Sequence, residues 1–169
     1  MLALAIMGST APRKRNRKQR TGRDGLVEWS DTHAAAWIGL LETHKRLTRE
    51  LEAELEAQHG LGISAMELLS RLARADDHMM RLSSLADASG LSLSRVSRIV
   101  DGLEKRGLVE RRADATDTRA KNAWLTPAGL ELLRAALKTH FDGVERVFFD
   151  RLAEEDVETL ARVFEPFRR

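Results

Sequence analysis

Two arginines, Arg95 and Arg98, stand three residues apart among a set of hydroxyls, Ser92, Ser94 and Ser97. On a helix that spacing puts both guanidinium groups on one face. A guanidinium fork suits two partners, the O6/N7 edge of guanine and a phosphate oxyanion. Small hydroxyls at the start of such a helix allow close approach and can bond either one. Further along come Arg111, Arg112, Arg119 and Lys121, with Asp114 and Asp117 among them. Bare acids repel phosphate, so Asp117 reads as an ion-pair partner that orients Arg119. The plainer alternative is a loop whose charges cancel. The residues that point to nucleic acid are thus Ser92, Ser94, Arg95, Ser97, Arg98, Arg112, Asp117, Arg119 and Lys121.

Other chemistries find little support. The chain has no Cys, which excludes disulfides, zinc–thiolate sites and thiol redox sensing. The five histidines (His33, His44, His59, His78 and His140) include no pair at the tight helical spacing of a metal site. No phosphate loop or nucleophile–base pair is visible. The expectation is a protein without metal, without cofactor and without enzymatic activity.

Charge is unevenly placed. The net charge is +2, yet residues 1–24 hold seven Lys or Arg against one acid. Residues 95–121 hold eight basic and five acidic groups, and the rest of the chain is acidic. Focused positive charge is what phosphate contacts require. No apolar run approaches the roughly 20 residues of a membrane span. The short apolar start, Leu2 to Met7, precedes its basic stretch, the reverse of a secretory signal. Met7 is an alternative start. These features predict a cytoplasmic protein.

The elements that must position these groups follow from periodicity and caps. Residues 1–25 lack an apolar period and read as a basic disordered tail, with 26–169 as the folded domain. Trp37, Leu40, Leu41, His44, Leu47, Leu51 and Leu55 recur at helical steps over 29–58, capped by Ser30 or Asp31 and ended by Gly60. A helix that long cannot bury its stripe on a small domain alone, so it predicts an interface. Ser64 and Glu67 have the spacing of a capping box for a second helix, and Asp76-Asp77-His78 reads as a connector. A core over 62–126 then runs as short helix, Ser89-Gly90 turn, Ser-capped helix to Arg106, Gly107, and a hairpin of residues 108–112 and 122–125. Thr126 and Pro127 open a helix over 127–149, and a last helix spans 154–166. The class is mainly α, an α+β winged helix. In a helix-turn-helix the second helix enters the major groove N-terminus first, and an Arg-tipped hairpin can reach the minor groove.

The run Leu85-Ala86, Gly90-Leu91-Ser92, Val96-Ser97-Arg98 and Leu103 through Arg112 resembles the MarR family of regulators. So do Asp114 through Arg119 and Leu125-Thr126-Pro127-Ala128-Gly129. The family's wing often has Pro after its first Asp and ends Arg-Arg; Ala115 and Thr118-Arg119 stand here instead. The resemblance implies a homodimer built from the N- and C-terminal helices, reading a pseudo-palindromic operator on double-stranded DNA, usually as a repressor. It also implies a small effector, often an aromatic or phenolic acid. The pocket would be lined by His33, Trp37, His44 and Glu67. The plainer reading, preferred here, is that Trp37 and His44 pack in the core or an interface. A dimeric helical module that binds protein rather than DNA is the alternative function.

Overall fold

The structure, a computed structural model, describes residues 19–113 and 121–167. Contacts divide the chain into two units, Met1–Lys45 and Arg46–Arg169. In the first, β1 (Gln19–Thr21) and β2 (Val27–Trp29) pair antiparallel, Gln19 opposite Trp29. Gly25 turns the chain at a φ of +79°, where a side chain would be strained. Asp24 accepts the Leu26 N–H at 3.0 Å. Arg20 pairs with Glu28 at 3.1 Å and Asp31 at 3.0 Å. The expected tail through residue 25 is therefore corrected over its last part. Polar side chains and a Gly turn build a hairpin that has no apolar period to announce it. Residues 1–18 lie outside the described residues.

The long helix α1 (Asp31–His59) ends where Gly60 takes a φ of +60°. Helix α2 (Ile63–Arg74) begins two residues earlier than a cap at Ser64 implies. Gly62 occupies the cap and supplies no side-chain bond, so the Ser64–Glu67 capping box does not form. Glu67 instead pairs with Arg71, one turn on, at 2.8 Å. The connector is a 3-10 turn, Asp76–His78, with Asp77 and His78 both left-handed at φ 52° and 54°. It delivers a strand the periodicity misses, β3 (Met79–Arg81).

Helices α3 (Leu82–Ser89) and α4 (Leu93–Lys105) flank the Gly90 turn, at φ +67°. Strands β4 (Val109–Ala113) and β5 (Lys121–Leu125) follow, Val109 opposite Leu125 and Ala113 opposite Lys121. Strand β3 pairs with the other edge of β5, giving an antiparallel sheet of order β3-β5-β4. Helix α5 (Pro127–Val147) starts with the Thr126 hydroxyl accepting the Gly129 N–H at 3.0 Å. That hydroxyl also donates to the Gly107 carbonyl at 2.8 Å. One residue thus caps α5 and holds the end of α4. Helix α6 (Glu154–Phe164) has no buried residue.

The core of the second unit gathers Leu55, Leu69, Leu85, Val100, Leu125 and Leu133 from six elements. Burying such a side chain fully stabilises by about 1.5–3 kcal/mol. The last turns of α1 are tied to α5 by polar bonds: His59 to Thr139 at 2.8 Å and Arg146 to Glu54 at 2.7 Å. No helix among the described residues is long and apolar enough to cross a membrane.

Candidate nucleic-acid interface

Helix α4 presents its N-terminus to solvent. Ser92 is extended and its hydroxyl accepts the Arg95 N–H at 3.4 Å. This satisfies one of the unpaired donors of the first turn. The Ser92 and Ser94 hydroxyls lie 3.2 Å apart. Ser92, Leu93, Ser94, Arg95 and Arg98 are exposed, while Val96, Val100 and Leu103 are buried beneath them. The split follows the helical period: the apolar stripe anchors α4, and the opposite face carries the arginines. Arg95 donates to the Ser64 hydroxyl at 3.3 Å and Arg98 to the Ser94 carbonyl at 3.4 Å. Both bonds are long, and both guanidinium groups stay at the surface.

Ser97 departs from the expectation. It is half-buried, and its hydroxyl and carbonyl each accept from Arg111 Nη2 at 3.1 Å. It therefore faces β4 rather than the open side. Near the loop end of β4, the Arg112 guanidinium lies over the Trp124 ring, 3.5 Å from its centroid, and pairs with Glu110 at 3.1 Å. Cation–π stacking fixes its direction while leaving it exposed. Lys121 is exposed at the start of β5. Asp114, Asp117 and Arg119 lie outside the described residues, so the expected Asp117–Arg119 pair has no geometry to report.

The family model described as the MarR family matches residues 59–120. The chain is 36% identical to AbsC, a MarR family transcriptional regulator from Streptomyces coelicolor, with a TM-score of 0.75, covering 83% of this chain and 94% of AbsC.

The chain belongs to the MarR family.

Sco3205, a MarR family regulator from the same organism solved in complex with DNA, is 30% identical at a TM-score of 0.75, over 83% of this chain and 88% of that one. The transcriptional repressor MprA of Escherichia coli is 34% identical over 97 residues, 57% of this chain. That match spans only 54% of the repressor's length.

Two arginines of this MarR lobe hold positions that residue spacing does not reveal. Arg106, just after α4, donates to the Gly60 carbonyl at 2.5 Å and the His59 carbonyl at 2.9 Å. It closes the C-terminus of α1, where unpaired carbonyls favour a cation. Arg111 sits between Asp101 at 2.6 Å and Glu104 at 3.5 Å. Its place beside two acids on α4, one helical step apart, is the signal that could have found it. The expected effector residues fall in different units. His33, Trp37 and His44 are exposed, with His33 bonded to Ser30 at 2.7 Å. Glu67, in the second unit, is half-buried and committed to Arg71. No group of three His, Asp or Glu that could hold a metal ion occurs among the described residues.

Proposed function

We propose that this MarR family member is a homodimeric repressor that binds double-stranded DNA at a pseudo-palindromic operator. The observation that carries the reading is the exposed N-terminus of α4, capped by Ser92, with Arg95 and Arg98 on its open face. Helix α4 enters the major groove, where Arg95 and Arg98 meet guanine edges or phosphates. The hairpin, with Arg112, Lys121 and Arg119, reaches the neighbouring backbone and minor groove. Two copies are required, because one lobe reads only a half-site. The protein acts in the cytoplasm as a regulator and not as an enzyme.

Support for the dimer comes from each unit separately. Trp37, Ile38, Leu40 and Leu41 are exposed on α1, and Phe141, Phe149, Val163 and Phe164 are exposed in the second unit. Apolar side chains of this size at the surface mark an interaction face. Release by a small aromatic or phenolic ligand completes the reading.

Fluorescence anisotropy on the DNA upstream of its own gene, taken through a salt series, tests the reading. Binding that weakens linearly in log salt is expected, and a flat response at low salt overturns it. Arg95→Ala or Arg98→Ala should cost ~1–3 kcal/mol where either reads a base. Arg119→Ala should weaken binding to all sequences alike. A panel of aromatic and phenolic acids added to the complex tests release.

A further inference from the structure

We propose that Arg111 is a positioning residue: it clamps the wing strand β4 to the recognition helix α4 through Asp101, Glu104 and Ser97, and sets operator affinity without touching DNA. The inference rests on the DNA reading above. Four observations carry it. Arg111 is largely enclosed, its side chain 19% exposed. One of its terminal nitrogens, Nη2, lies 2.6 Å from Asp101 Oδ1 and donates to both the hydroxyl and the carbonyl of Ser97 at 3.1 Å. Its backbone N–H donates to Glu104 Oε1 at 3.1 Å, and its Nε faces Glu104 Oε2 at 3.5 Å. Ser97, Asp101 and Glu104 follow one another at helical steps of four and three, so one stripe of α4 serves a single guanidinium.

The chemistry separates Arg111 from the arginines that meet phosphate. The bonds to the carboxylate, hydroxyl and carbonyl all go to Nη2, and Nε is buried without a hydrogen-bond partner among the described residues, so neither nitrogen is open to a ligand. Its two acids also cancel its charge. What it does is fix an angle. The exposed residues of α4 and those of β4 must meet one duplex together, and a rigid bridge between the two elements sets that orientation in advance of binding. Neighbouring Arg112 has the opposite character, exposed and stacked on Trp124.

Simple electrostatics and the clamp predict opposite signs for one substitution. Asp101→Asn removes a negative charge from the DNA-binding lobe, so charge alone predicts tighter binding. The clamp predicts operator binding at least tenfold weaker, with non-specific DNA bound as well as before or better. Arg111→Lys keeps the charge but loses the fork. It should weaken operator binding by a similar factor while leaving the slope of log affinity against log salt unchanged. Both variants, and Arg111→Gln, are measured in the full chain by anisotropy on operator and on scrambled duplex, with thermal unfolding alongside. An Asp101→Asn protein that binds operator as tightly as the parent, or tighter, overturns the proposal. So does a shallower salt slope in Arg111→Gln, which removes the charge, because a phosphate contact would then have been lost. A variant unfolded at the assay temperature also overturns it, because the bridge would then be part of the fold's stability and not an aligner. Parent protein that binds no DNA sinks the DNA reading first, and this one with it.

Discussion

His140 shows how a single residue ties stability to pH. It lies half-buried on α5, beside Phe141 at a ring separation of 5.9 Å. Its Nδ1 is buried without a hydrogen-bond partner among the described residues. Burial disfavours the charged ring and holds its pKa below the ordinary value of 6.5. The unfolded chain therefore binds more protons than the folded one as pH falls below 6.5, so stability declines on that side and is complete above it. Urea unfolding at about pH 7.5 and about pH 5 should show a lower midpoint in the acid sample. His140→Gln, which cannot be protonated, should reduce that difference. An equal difference in both proteins would show that other groups carry it.

At the scale of elements, packing against glycine decides what the fold tolerates. A Cβ at Gly129 would sit 2.1 Å from the Leu108 carbonyl oxygen and 2.7 Å from Leu125 Cδ1. The first turn of α5 thus lies directly on the α4–β4 corner, and the nearest neighbour is backbone, which cannot rotate away as a side chain can. Gly129→Ala should destabilise by at least the ~1–3 kcal/mol of ordinary overpacking. Gly102, in the middle of α4, has open space where its Cβ would be. Gly102→Ala should stabilise by about 0.5–1 kcal/mol, the helix cost of glycine. Denaturant midpoints of the two variants, moving in opposite directions from the parent, check both.

Elements also differ in how far their residues announce them. Helices with a strong apolar stripe and a side-chain cap are legible in the sequence: Ser92 opens α4 and Thr126 opens α5 as their residue types imply. The losses have local causes. Ser64 and Glu67 carry a cap signature, but the helix starts at Ile63, and Glu67 meets Arg71 instead. Strand β3 is three residues long, too short for alternation to register, and its pairing with β5 is a long-range contact. Hairpin β1–β2 is held by a Gly turn and by Arg20 with two acids, none of which has a period. In the candidate site, exposed Arg95 and Arg98 are readable from their spacing. Ser97 is not, because its environment is made by Arg111, fourteen residues away.

For the whole molecule, the C-terminal helices raise the question of partnership. Val163 and Phe164 of α6 are 51% and 38% exposed, and Phe141 of α5 is 64% exposed. A helix with no buried residue has little reason to stay folded alone, so α6 should depend on a second copy. Sedimentation of the full chain should give a dimer near twice its 19.0 kDa mass. Phe164→Glu, placing charge on that exposed apolar face, should shift the distribution toward monomer and reduce operator affinity. Unchanged sedimentation would exclude α6 from the interface.

The bond from Arg106 to the end of α1 has a consequence for counting ions. Of the eight basic groups in residues 95–121, Arg106 is spent on two carbonyls and Arg111 on Asp101. Among the described residues Arg95, Arg98, Lys105, Arg112 and Lys121 remain as the lobe's reserve for displacing cations condensed on DNA. Two lobes would release about nine such ions at ~0.9 per neutralised phosphate, where a bare tally of charges implies about fourteen. Any release beyond the smaller figure would be the signature of Arg119 and the basic residues ahead of Gln19, read from bulk salt without sight of either segment.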